Sequence, residues 1–421
     1  MAYELARAGH DVQVFEAAAE LGGLARSFLL GNLRLDRYYH FICQGDAAYL
    51  RWLDRLGLAP RVHWTHTKMG FFHAGQLHPL TTATDLLRCG ALTPSARIRY
   101  GAFTLHCAVT KDWRALDDVA ATPWLVRQIG WHAYHVLWHP LLALKFHRDY
   151  ANVSAAWVWH RIHRVATSRG RLLQRECFGY LDGGTDVFTN AVAAGAREAG
   201  ARLHTRAPVR RIVHDGLRCT GLEAADGTRH DFDAVLSTVP LPVFAQLAAT
   251  PESSFISALA AIEYIGVVCV VLRLKRRLTE NYWLNVNDPR VPFNGCIEYT
   301  NLNPDLTDDG TSVLYVPYYV PTSHPRFAWS DEQTIAETVA ALEAVAPDFF
   351  PDDVLDCAVG RDPYAQVVCK TGFAQRVPPH KTPIDGLWLL ESSQLYPADR
   401  SISATLELCE TVRDAMRDQE P

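Results

Sequence analysis

Apolar and polar positions follow three textures along this chain. At the front, Ala2 to Ala8 reads as a short helix stopped by Gly9, a residue suited to a left-handed cap, and Val12, Val14 and Phe15 then mark a strand over 11–15. This quick return from helix to strand is typical of α/β layers. Residues 46–174 change to a helical texture rich in tryptophan, histidine and leucine, read as an inserted region. From 177 the α/β character returns, with a glycine turn at 183–184, a helix from about Asp186, Gly200 at its end and a strand over Arg202 to Thr205. Turn signals at Asp215-Gly216 and Asp226-Gly227 predict a β-meander, and Asp233 to Ser237 predicts a further strand closed by Pro240.

Between 260 and 320 apolar and polar positions are read as alternating in several runs, including Gly266 to Leu274 and Thr311 to Tyr319, which predicts a second sheet. Ser330 and Gln333 form a capping-box pattern before a helix carrying Ile335, Val339, Leu342 and Val345 on one stripe. An apolar strand, Leu387 to Leu390, a loop and a helix over Ile402 to Met416 complete the pattern. The longest apolar run, Ile265 to Leu272, is strand-sized, so neither a membrane-crossing helix nor a signal peptide is expected, although peripheral membrane contact is left open.

Composition narrows the classes. A chain of 421 residues is long for one simple core, and two domains are expected. Forty-one basic against 46 acidic residues leave a net charge of −5, which provides no field for nucleic acid. Ten cysteines spread from Cys43 to Cys409 with no C-x-x-C argue against a zinc site or a disulfide framework, and reduced thiols in a cytoplasmic protein are the expectation.

The chemistry is concentrated in DVQVFEAAAELGGLAR at 11–26, where a strand ends in Glu16 and is followed by Gly22, Gly23 and Arg26. A carboxylate at a strand end can accept from ribose hydroxyls, and paired glycines let backbone approach a pyrophosphate. Three histidines, His132, His135 and His139, share one face if a single helix carries them, but Trp131, Tyr134 and Trp138 interleave with them and no carboxylate stands at ligand spacing; no metal is expected. Arg161, Arg164, Arg169, Arg171 and Arg175 form a basic run that reads as a solvated helix and loop, with an acidic ligand or a membrane surface as the alternative. Lys370 has no local motif to fix a role.

Four separated segments together resemble the FAD-dependent oxidoreductases that include amine oxidases, protoporphyrinogen oxidases, phytoene desaturases and, as a cousin, UDP-galactopyranose mutase. They are the Glu16 segment, LRLDRYYHFI at 33–42, GYLDGGTDVF with the following helix and the strand VRRIV, and LWLLESSQLYPADR at 387–400. HPLLALKF (139–146) and VSAAWVWHRI (153–162) resemble the protoporphyrinogen-oxidase-like branch. The resemblance implies an α/β fold: a discontinuous FAD-binding domain of the glutathione-reductase type at 1–45, 177–245 and 360–421, with a mixed α+β substrate domain at 46–176 and 246–359. It implies FAD contacts from Glu16, Gly22, Gly23, Arg26, the backbone at Val209, Ser393 and Ser401, with Tyr38, Tyr39 and His40 facing flavin or substrate.

The activity implied is hydride transfer from a C–N or C–C bond of a small organic substrate to flavin. The alternatives are a sugar-nucleotide mutase or a cofactor-free remnant. Such proteins carry a first strand and a G-x-G-x-x-G loop, yet no G-x-G occurs in these 421 residues and Met1 falls within the helix that follows that loop. Met1 is therefore expected to be an internal methionine of a longer natural protein, with a true truncation as the alternative.

Overall fold

The computed structural model describes residues 1–168, 176–249 and 253–418. The front of the chain forms as patterned. The helix Ala2–Arg7 is followed by Gly9 at φ 96° and the strand Gln13–Phe15. That strand pairs in parallel with Arg202–His204, Val14 opposite Leu203, and the helix Thr185–Glu198 leads into this partner. A second parallel pair, Val235–Ser237 with Leu387–Leu389, is covered by the terminal helix Ile402–Arg417 through Trp388, Leu390, Leu408 and Val412. The meander is present as Val209–His214, Cys219–Ala224 and Arg229–Asp231, all antiparallel.

A seven-stranded sheet carries the other half of the molecule. Its order is Val354–Val367, Tyr264–Leu274, Ser312–Pro321, Gly295–Glu298, Trp283–Val286, Met69–His73 and Gln76–Pro79. The second of these explains the apolar run in the sequence. Val267, Cys269 and Val271 face a cluster with Tyr38 and Tyr315, whereas Val268, Val270 and Leu272 face a cluster closed by Leu342 and Val345. A strand covered on both faces has no polar side to show, which removes the usual alternation. On one side of this sheet the helix His139–Phe146 packs against Ser312–Pro321 and, through Ala121–Leu137 and Ala155–Ser168, joins a large helical core.

Three expectations need correction. Residues 46–174 are not uniformly helical: Val62–His66 pairs with Cys177–Leu181, and the hairpin Met69–His73 with Gln76–Pro79 extends the large sheet. Its turn is made by Ala74 and Gly75, both at positive φ, and its parallel neighbour Trp283–Val286 lies far along the chain, so no local pattern announces it. The strand Val354–Val367 is continuous and paired with Tyr264–Leu274, so a boundary at 360 falls inside one element. In the helix Asp331–Leu342, Ser330 caps Gln333 N–H as patterned, but the buried face is centred on Thr334, Thr338 and Leu342, with Ile335 and Val339 flanking. The hydroxyls are satisfied, Thr338 pairing with Tyr318 at 2.7 Å and bonding back to Thr334 O at 2.7 Å.

Glu298, at the end of its strand, is fully buried. It accepts from the N–H groups of Leu278 (2.9 Å) and Thr279 (3.0 Å) and contacts the Ser312 hydroxyl. Burial pushes its carboxyl up to about 7 against those hydrogen bonds. The native state then holds a proton that the unfolded chain releases near pH ~4.3, so stability falls as pH rises between these values, by at most about 1.4 kcal/mol per unit. Glu298→Gln, which keeps the acceptor and donates to Ser312, is expected to gain in Tm over the parent progressively from pH 5 to 7 and to hold that gain above. A Tm difference independent of pH would refute the assignment.

Candidate active site

The segment after the first strand makes one wall of a large cavity. Glu16 continues the strand pairing through its N–H to His204 O (2.8 Å), and its carboxylate accepts from Ala18 N–H at 2.7 Å while lining the open space. Gly22 and Gly23 follow at φ 116° and 55°, conformations that L side chains resist, and a Cβ on Gly23 would meet nothing within 4 Å. Arg26 Nε donates to Gly23 O at 3.0 Å and holds this short turn. Val209, at the start of the meander, and Ser401, at the head of the terminal helix, line the same cavity. Ser401 Oγ accepts from Ala404 N–H at 3.1 Å, and the 16-residue helix turns its partially positive end to the opening.

Ser393 is placed differently from expectation. The turn Ser392–Leu395 carries it inward, where its N–H donates to Glu391 Oε2 at 2.7 Å and its buried hydroxyl has no hydrogen-bond partner. Ser392, one residue earlier, lines the cavity instead.

The stretch 33–42 forms the floor. Asp36 is buried, and its carboxylate accepts from Thr185 N–H (2.9 Å) and the Ser27 hydroxyl (3.2 Å). Burial alone would raise its pKa, but His40 and Thr185 hold it below the usual carboxylate range. Gly184, at φ 80°, is required here, because a Cβ would lie 2.9 Å from Asp36 Oδ1. Next to it Asp186 accepts from Ser27 N–H at 3.1 Å and pairs with Arg34. These bonds bring Tyr38, Tyr39 and His40 to the cavity wall. Tyr38 donates to Asp362 Oδ2 at 2.7 Å beside Arg37, Tyr39 and Tyr319 share a hydrogen bond of 3.1 Å, and His40 Nδ1 stands 3.4 Å from Asp36 without hydrogen-bond alignment.

Sequence reading missed a charged group opposite. Lys145, Arg161, Asp399 and Arg400 all line the cavity near Tyr319. Arg161 pairs with Asp399 and lies over the Trp157 ring, and Arg164 pairs with Asp46 at 3.2 Å, so neither belongs to a freely solvated face. Arg169, Arg171 and Arg175 lie outside the described residues. The available signal was a lysine inside the apolar HPLLALKF and a charge pair in LYPADR. Lys370 goes elsewhere, pairing with Glu263 (2.8 Å) and Asp149 (2.9 Å). The three histidines do not share one face. The helix carrying His132 and His135 ends at Leu137, a new one starts at His139, His132 faces Ala91 O at 3.0 Å, and His135 packs against His139. Among the described residues no three His, Cys, Asp or Glu side chains gather as a metal site.

The cavity measures about 2480 Å³, well above the roughly 300–1,000 Å³ that suffices for one small ligand. That volume has room for a dinucleotide and a further small ligand together. Its Glu16 side offers a carboxylate acceptor at a strand end, an open glycine turn, a guanidinium and a helix N-terminus, groups that fit a dinucleotide cofactor.

Comparison with known proteins agrees with this geometry. Along 167 residues the chain is 29% identical to a zeta-carotene-forming phytoene desaturase from Myxococcus xanthus, a match spanning 36% of this chain and 32% of that protein. The fold is shared with an oxidoreductase from Methanosarcina mazei (TM-score 0.74, 17% identity, 99% of this chain and 96% of that one). It is also shared with reduced UDP-galactopyranose mutase (TM-score 0.76, 14% identity, 100% and 93%). The model of the flavin containing amine oxidoreductases matches residues 1–388, and with this match the chain belongs to that family of FAD-dependent enzymes.

Proposed function

We propose that the protein removes a hydride from a C–N or C–C bond of a small organic substrate, with FAD as the acceptor. The observation that carries this reading is that Glu16, Gly22, Gly23, Arg26, Val209 and Ser401 open onto the same cavity as Tyr38, Tyr39 and His40. Bound FAD supplies an electron sink that no protein side chain offers. The remaining work belongs to the chain. Glu16 accepts from the ribose hydroxyls, Gly22 and Gly23 admit the pyrophosphate to the backbone, and Arg26 contributes a cation beside it. The backbone at Val209 would face the adenine, and the terminal helix would turn its positive end to the flavin.

Tyr39 and Tyr319 hold each other through their hydroxyls, and Trp283 packs edge-on to Tyr39 at 5.1 Å, so the tyrosine presents a fixed surface to the substrate space. Burial, then Tyr319, raises the Tyr39 pKa well above that of a free phenol, so this hydroxyl stays a neutral donor at working pH. The family match and the desaturase relative both favour net oxidation over isomerisation.

Two outcomes test this. In a fluorescence titration with FAD, Glu16→Gln removes a charge-assisted hydrogen-bond acceptor worth about 1.5–3 kcal/mol and is expected to weaken binding by roughly 10- to 150-fold; equal affinity for parent and variant would exclude Glu16 from the site. In anaerobic mixing of the FAD-loaded protein with a panel of primary amines and apolar alkenes, a substrate is expected to bleach the visible flavin band, and oxygen or an added electron acceptor to restore it. Product formation without bleaching would point to non-redox chemistry instead.

A further inference from the structure

Lys145 is the group in the cavity that the preceding reading does not use. It is 7% exposed and lies among the rings of Tyr319, Trp157 and Phe146, its ammonium 4.6, 5.1 and 5.9 Å from their centroids. Among the described residues it has no hydrogen bond and no ion pair. The one nearby carboxylate, Asp399, pairs directly with Arg161 and is shared electrostatically by Lys145 and Arg400. Arg400 adds a further cation, reaching Gln366 Oε1 at 3.5 Å and the Tyr319 hydroxyl. Three cations therefore meet one carboxylate at this spot, while the neighbouring pairs Arg37 with Asp362 and Arg164 with Asp46 are balanced.

An ammonium held in this way is costly. Aromatic faces offset only a small part of the desolvation that burying an ion demands. A methionine would fill the same volume among the rings without that cost. A partner that arrives from outside resolves the imbalance.

We propose that Lys145, with Arg400 beside it, receives an anionic group, carboxylate or phosphate, at one end of the substrate. This rests on the oxidoreductase reading and names the substrate class for it. Leu137, Trp138 and Leu141, which precede Lys145 by one to two helical turns, line the same cavity and suit an apolar body on the substrate. A cationic end, such as a diamine carries, is repelled here.

The charge balance also predicts a pH signature. Burial, then the Arg161 and Arg400 guanidiniums acting against Asp399, brings the Lys145 ammonium down to about 7. Its neighbours keep one charge state between pH 6 and 9. Asp399 is held at about 2, His160 is lowered to about 4 by burial, Cys369 and Tyr39 are raised by burial far above this window, and the guanidiniums stay protonated. Anion binding then restores the proton on Lys145, and affinity declines as pH rises past its free value.

The test is calorimetry on the 421-residue chain, with and without saturating FAD, using benzoate, phenyl phosphate and the neutral benzamide as probes. Benzoate or phenyl phosphate is expected to bind at least tenfold more tightly than benzamide, and comparison of the two anions tells carboxylate from phosphate. Benzoate affinity should fall by up to tenfold per pH unit above pH 7. Lys145→Met is expected to weaken the anion at least tenfold, to abolish its pH dependence, and to leave FAD affinity within twofold and Tm no lower than the parent's. Lys145→Gln provides the same reading if the methionine variant folds poorly. Three results overturn the proposal: no preference for anions over benzamide, benzoate affinity unchanged in both variants, or FAD affinity falling in step with benzoate affinity, which would assign the cation to the cofactor. Failure to bind FAD at all counts against the preceding reading, while the FAD-free anion titrations still decide this one.

Discussion

The buried carboxylate of Asp36 is the constraint around which the site is organised. It accepts the N–H of Thr185 at the start of a helix and the hydroxyl of Ser27, and so joins segments 149 residues apart in sequence. An ionised carboxylate away from water is tolerable only with such donors around it. Asp186 repeats the tie with Ser27 N–H and Arg34. Together they set the hairpin 27–36 against the return helix and so decide where the chain leaves towards Tyr38, Tyr39 and His40. The absence of a side chain at Gly184 is part of the same arrangement, since a Cβ would displace the carboxylate.

Charge within the cavity is distributed unevenly, and that unevenness carries functional information. Most buried or half-buried ions are paired close by: Arg37 with Asp362, Arg164 with Asp46, Arg161 with Asp399. Such pairs cost little beyond their own desolvation and hold elements together. Lys145 departs from this pattern by packing on rings rather than on a carboxylate. The cavity thus has one wall built from backbone, glycine and Glu16, where we propose the cofactor binds, and another with excess positive charge beside apolar surface. The phenolic pair Tyr39 and Tyr319 stands between the two.

The conformation of the wall carrying Glu16 was legible because its signals are local. A strand ending in Glu16 and a glycine pair within seven residues are dictated by backbone conformation, and they form as the pattern requires. The wall formed by Tyr38, Tyr39 and His40 was only partly legible. Tyr38 to His40 were recognisable by resemblance, but Tyr319, the partner of Tyr39, lies 280 residues away. A single turn also sufficed to exchange Ser393 for Ser392, because rotation within a short 3₁₀ turn is set by the Glu391 cap and not by residue type.

Local periodicity and turn chemistry, read from sequence alone, determined the element types of the α/β portion and the strand-sized apolar run at 265–272, while the resemblance of four separated segments implied the class of cofactor. Tertiary structure decided that Met69–Pro79 adds two strands to the large sheet, that threonines rather than aliphatics centre the buried face of the helix Asp331–Leu342, and which cations have partners. The physical reason is the range of the forces involved. Backbone preference and amphipathic period act between near neighbours in sequence, whereas the pairing of a charge and the burial around it depend on groups that only the folded chain brings together.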